Sequence, residues 1–237
     1  MANMVNAGTF HPRRVNQYVK CMQYAMDVNS QGSTRTDFGT PAASSANNVV
    51  NAQSIAAAVT LDLTTLAQID APFGRSLQLT GSATVLAGSA ITIRGYDYLN
   101  QPMSEVLTSV AGATLIQGIR AFKYLTSVTF AANAGTAPVT MSIGYGGKLG
   151  LPYRAIAQRL EVANGVPAGS QGTFVAGPFA QTTNAAGQAD PRGTYIPSTT
   201  LNGANRVSAH FDYANDFTGT PGASNEACGL MGFPHAG

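Results

Sequence analysis

The strongest constraint on this chain is a period of two that recurs in short runs. Val59, Leu61 and Leu63 alternate with Thr60, Asp62 and Thr64; Leu77 and Leu79 alternate with Gln78 and Thr80; Ile91 and Ile93 alternate with Thr92 and Arg94. The pattern returns at Val128 and Phe130, at Val139, Met141 and Ile143, and at Val207, Ala209, Phe211 and Tyr213. Successive side chains of a strand point to opposite faces, so such runs make half-buried strands. Glycine, proline or asparagine punctuates them, and no long amphipathic helix intervenes. The expected fold is all-β, an antiparallel β-sandwich or jelly-roll-like barrel.

The N-terminal stretch differs. Val15, Tyr18, Val19, Met22 and Met26 are spaced by threes and fours, which predicts one short helix with a single apolar face. The following "NSQGSTRTDFGTPAASSANNVVN" is rich in turn residues and poor in apolar anchors. Residues 1–51 therefore read as an arm carrying a short helix, and residues 52–237 as the β domain with long C-terminal loops. Between Pro152 and Leu201 the alternation mostly disappears, and 215–237 is similar. Long excursions of this kind suit contacts with other chains. The candidate contact residues are the arm positions Arg13, Arg14, Val15, Tyr18, Val19, Met22 and Met26.

Charge narrows the functions. Only 10% of the 237 residues are charged, against about 25% in ordinary soluble domains. Ala, Gly, Ser, Thr, Asn and Gln take their place, so much of the surface is expected to be covered by neighbouring subunits. A formal net charge of +2 with scattered Lys and Arg gives no footprint for nucleic acid. The uncharged runs carry too many polar residues to cross a bilayer as a helix, and the first fourteen residues have no apolar core of a secretory signal. The expectation is a soluble protein made in a cytoplasm. Cys21 and Cys228 stand near opposite ends without metal-ligand spacing, so two free thiols are expected and a pairing between them stays open.

Searches for chemistry end in bland readings. "SIGYGGKLGLPYR" resembles a phosphate loop only superficially, because Ser142 and Leu149 stand where glycine and a hydroxyl residue are required. Its glycines Gly144, Gly146 and Gly147 are read as positions of positive φ at a sharp exit, with Leu149, Leu151 and Pro152 re-anchoring the chain. No Gly-x-Ser-x-Gly elbow occurs. His210 shares a strand face with Ser208 and Asp212, which reads as a solvated face. Asp97 and Glu105 form a glycosidase pair only if they face each other across a cleft; flanking "YLNQPM", they read as braces of a hairpin. Tyr96 and Tyr98 suggest sugar stacking, but the chain has no tryptophan. No enzyme activity, cofactor or metal is expected.

One resemblance adds to this. "ITIRGYDYLNQPMSEVLTSVAGATLIQGIRAFKYLTSVTF", residues 91–130, is similar to a segment of virion structural proteins of tailed bacteriophages, with its Gly-x-Asp strand end, Ser-Glu strand and Ala-Phe-Lys element. "SIGYGGKLGLPYR" and "DPRGTYIPSTTLNG" follow in the same order. The resemblance spans roughly half the chain and rests on structural turns. It implies a capsid decoration or cement protein, located in the virion, whose partners are a major capsid protein and copies of itself as a homo-oligomer, a trimer being one form. A tail, collar or fibre component is the alternative.

Overall fold

The alternating runs become strands that pair in three antiparallel sheets. The computed structural model describes residues 34–63, 69–177 and 190–213, and these contain fourteen strands and no helix. They are β1 (Thr34–Gly39), β2 (Val50–Ser54), β3 (Val59–Asp62), β4 (Arg75–Gly81), β5 (Ala90–Tyr96), β6 (Pro102–Thr108) and β7 (Leu115–Gln117). The second half supplies β8 (Tyr124–Phe130), β9 (Thr140–Gly150), β10 (Ala155–Ala163), β11 (Val166–Pro167), β12 (Thr173–Val175), β13 (Thr194–Ile196) and β14 (Val207–Tyr213). Sheet A runs β1-β14-β10-β11, sheet B runs β12-β13-β9-β4-β7 with β2 also beside β9, and sheet C runs β3-β8-β5-β6.

Alternation decides which face is inside. In β5, Ile91, Ile93 and Gly95 are buried while Ala90, Arg94 and Tyr96 are exposed. One apolar cluster fills the space between sheets B and C, with Leu77, Leu79, Ile91, Ile93, Val128, Phe130, Met141 and Ile143 at its centre. A second cluster lies under sheet A and holds Phe38, Leu149, Leu151, Tyr195, Val207, Ala209 and Phe211. Burial of this kind is worth about 1.5–3 kcal/mol for each large aliphatic or aromatic side chain. The eleven-residue β9 serves both clusters, Met141 and Ile143 entering the first and Leu149 the second.

That strand corrects the reading of the glycine-rich stretch. Gly144, Gly146 and Gly147 lie inside β9 and none has positive φ. A Cβ on Gly144 would stand 1.8 Å from the Ser45 carbonyl oxygen, and one on Gly146 2.4 Å from Ser76 Oγ. Gly144 and Gly146 are needed because other segments run hard against the strand, whereas a Cβ on Gly147 would meet only Ser44 Oγ, at 3.6 Å.

Two boundaries also move. Residues 34–51, read as arm, contain β1 and the start of β2, and Phe38 is a core residue. The segment 152–201, read as a loop, contains β10 to β13. Its alternation was hidden because β10 carries register shifts against β14 between Ala155 and Ala157 and between Gln158 and Leu160. Moreover, the inward position of β10 is taken by Glu161, fully buried, while Leu160 and Val162 on either side are only half-buried. The arm positions Arg13, Arg14, Val15, Tyr18, Val19, Met22 and Met26, and both cysteines, lie outside the described residues.

Candidate functional site

Half of the charged side chains among the described residues lie inside. Arg75, Arg120, Lys123, Arg154 and Arg192 are buried, as are Asp97, Glu105, Glu161 and Asp190. Apart from Glu161, they form a polar seam where the two apolar clusters meet.

Asp97 closes the β5–β6 hairpin. Its Oδ1 accepts the amides of Leu99 and Gln101, both at 2.8 Å, and Asn100 takes positive φ. This Asx arrangement is why Asp and Asn occupy the turn. The carboxyl's other oxygen, Oδ2, accepts from Arg192 Nη1 at 2.7 Å, and the Arg192 guanidinium lies 4.9 Å from the centre of the Tyr98 ring. Tyr98 in turn donates its hydroxyl to the Pro152 carbonyl. Burial raises the Tyr98 phenol above its ordinary range, so it stays a donor.

Arg192 belongs to a second Asx turn, Asp190-Pro191-Arg192-Gly193. Asp190 Oδ1 accepts the Arg192 amide at 3.0 Å and its carbonyl accepts the Gly193 amide at 3.0 Å, with Gly193 at φ 92. Asp190 Oδ2 reaches away to accept the Ala121 amide at 3.0 Å. Burial raises the Asp190 carboxyl, against the opposing pull of Arg192 and these amides.

On the other side of the seam, Arg75 at the start of β4 gives Nε to the Gly146 carbonyl at 2.6 Å and Nη1 to Asp70 at 3.1 Å. Lys123 Nζ donates to the carbonyls of Ile69 and Ala71, both at 2.8 Å. Burial lowers its pKa, with Asp70 opposing. Glu105 Oε1 accepts the Ile119 amide at 2.7 Å.

Beneath sheet A a separate hub forms around Glu161. Its oxygens accept the Tyr195 hydroxyl and the amides of Ser198 and Thr199, each amide at 2.9 Å. Tyr195 Oη also accepts from Gln158 Nε2 at 2.8 Å and from the Gly172 amide at 3.1 Å. Burial would raise the Glu161 carboxyl, but the hydrogen bonds from Thr199, Tyr195 and Ser198 outweigh it and hold it below the ordinary value. Burial, then the bond to Glu161, pushes the Tyr195 phenol above its usual range.

Asp97 thus braces its hairpin, as the turn chemistry implied, whereas Glu105, read as a second brace of that hairpin, holds the Ile119 amide instead. Asp97 is 0% and Glu105 1% exposed, and each is engaged by backbone amides, so the two do not line an open cleft. Lys148 donates to the Gly118 carbonyl at 2.9 Å. Among the described residues no group of three His, Cys, Asp or Glu could hold a metal ion.

The outer face of sheet A collects the surface charge. Arg35 opposes His210 and Asp37 opposes Ser208 across the β1–β14 ladder. Arg35 donates to Ser208 Oγ at 3.2 Å, Arg206 to Asp37 at 3.0 Å and Arg159 to Asp212 at 2.7 Å. His210 is half-buried in this row and Ser208 is buried. Elsewhere among the described residues only Asp62, Asp70 and Arg94 are exposed charges. On sheet C, Tyr96 faces out and stands opposite Tyr124 on one side and Pro102 on the other, whereas Tyr98 turns into the seam.

Sequence reasoning did not single out Arg75, Arg192, Asp190, Glu161 or Tyr195. Only Asp190 and Arg192 carried a signal, the Asp-Pro-x-Gly turn signature. Compared with protein-family models, curated proteins and solved structures, the chain matches none.

Proposed function

We propose that this chain is a virion structural protein of a tailed phage, a capsid decoration or cement protein that oligomerises and fastens neighbouring capsid subunits. On this reading the three sheets are a β-sandwich of jelly-roll type whose surface is meant to be covered. The distribution of charge carries the reading: among the described residues most ionic groups are buried or gathered on one face of sheet A, and the remaining surface exposes only Asp62, Asp70 and Arg94 as charged groups. On that neutral surface Leu86, Val110, Leu115, Val166 and Val175 are exposed. Strands at the open ends of the sheets, such as β3, β6, β7 and β12, present backbone groups that invite pairing unless neighbours cover them. The segments carrying the phage resemblance, residues 91–130, 142–154 and 190–203, contribute Asp97, Glu105, Arg120, Lys123, Arg154, Asp190 and Arg192 to the seam. Such motifs would keep an assembly component rigid.

Cryo-electron microscopy of the particle encoded with this gene is the test. Density at the symmetry axes of the shell, bridging capsid subunits, is the expected result. Density along the tail axis would instead support a tail, collar or fibre component, and absence from the particle would overturn both.

One observation favours a second reading, carbohydrate binding. The Tyr124-Tyr96-Pro102 row with Arg94 two residues away on the same face offers stacking surfaces and one cation. Binding of oligosaccharides by calorimetry, abolished in Tyr96→Ala with unchanged melting, would support it.

A further inference from the structure

Glu105 is the inward member of a row otherwise made of Met103 and Leu107, directly across from Ile93. Its carboxyl leaves sheet C and reaches the 118–120 segment, which links β7 of sheet B to β8 of sheet C. Oε1 is held by the Ile119 amide, but Oε2 is buried without a hydrogen-bond partner. It lies against Gly118, where a Cβ would come within 2.9 Å of it. The segment is tied to sheet B by the Gly118 amide on the Leu77 carbonyl at 2.8 Å and by Lys148 on the Gly118 carbonyl. One carboxyl therefore joins β6, at the open end of sheet C, to the segment leaving β7, at the open end of sheet B.

We propose that Glu105 is a proton-operated latch, whose neutral acid clamps the 118–120 segment to β6 and whose loss of the proton to solvent releases that segment and loosens both sheet edges. The neutral form buries no charge. The ionised form buries a charge, the costly half of the pair, with Oε2 in no hydrogen bond of ordinary geometry. The charges facing the carboxyl are Arg120 of the same segment, shared with Asp190, and Lys148 of β9; β5 offers Ile93 and β4 the Leu77 carbonyl. Burial outweighs them and the Ile119 and Arg120 amides, pushing Glu105 up to about 7. With the folded value above the ordinary 4.5, the latch is fully closed below that value and is lost as pH rises through about 7.

The chain has three glutamates, Glu105, Glu161 and Glu226, so carboxyl carbon resonances can be titrated individually. The expected result is one titration within about a unit of neutrality that vanishes in Glu105→Gln. Exchange of the Ile119 amide, corrected for its intrinsic rate, should lose roughly tenfold of its protection between about pH 5.5 and pH 8 in the native chain, and stay level in Glu105→Gln. A Glu105 titration in the ordinary carboxylate range, or Ile119 protection that is level in the native chain or falls equally in the variant, overturns the latch. Should Glu105→Gln not fold, the native titration and Ile119 protection decide.

Discussion

Arg192 and Asp97, 95 residues apart in sequence, meet at 2.7 Å with side chains 1% and 0% exposed. The pair locks the turn before β13 onto the β5–β6 hairpin, tying the region of one apolar cluster to that of the other. Removing one partner strands a buried charge, which costs about 3–5 kcal/mol. Arg192→Met should lose that much in urea unfolding. In the double variant with Asp97→Asn, which keeps the turn's amide contacts, much of the loss should return. A double variant no more stable than Arg192→Met would show that the guanidinium acts through packing on Tyr98 instead.

Gly144→Ala should destabilise by about 1–3 kcal/mol or more, because the new methyl would overlap the Ser45 carbonyl at 1.8 Å. A methyl on Gly169 would meet nothing within 4 Å, and the φ there is not positive. Gly169→Ala should stay within about 0.5 kcal/mol. Thermal melting of the two variants side by side tests whether close approach, rather than turn geometry, demands glycine in β9.

Tyr195→Phe removes the hydroxyl at the centre of the Glu161 hub and should cost about 1–3 kcal/mol near neutral pH. Glu161 is held below its ordinary value, so its contribution is present above about 4.5 and is lost as pH falls through the lower folded value. The gap between native and variant melting temperatures should therefore narrow in acid. A gap independent of pH would mean that the hydroxyl stabilises Gln158 and Gly172 but not the carboxylate.

Leu86 and Val110 are exposed on turns that are tied together by the Ser109 hydroxyl on the Leu86 carbonyl at 2.7 Å. Replacing both by lysine should change stability by less than about 1 kcal/mol in sum. If the neutral surface is an assembly surface, the variant should show reduced oligomer mass in light scattering and reduced co-sedimentation with capsids. Unchanged assembly would free this end of the molecule from that role.

Period-two runs by themselves determined the all-β class and the positions of β3, β4, β5, β8, β14 and the first part of β9, because a half-buried strand must alternate whatever it pairs with. The "DYLNQ" turn was legible for the same local reason, since Asp97 bonds amides two and four residues ahead. Tertiary structure decided the rest. β10 escaped notice because a register shift and an inward Glu161 break the pattern that burial normally writes. Gly144 and Gly146 of β9 looked like turn residues, and only the approach of Ser45 and Ser76 shows that they make room for other chain segments. The seam was invisible in one dimension, because a buried charge is recognised by its partner, and Arg192 finds Asp97 only after three sheets have folded around them.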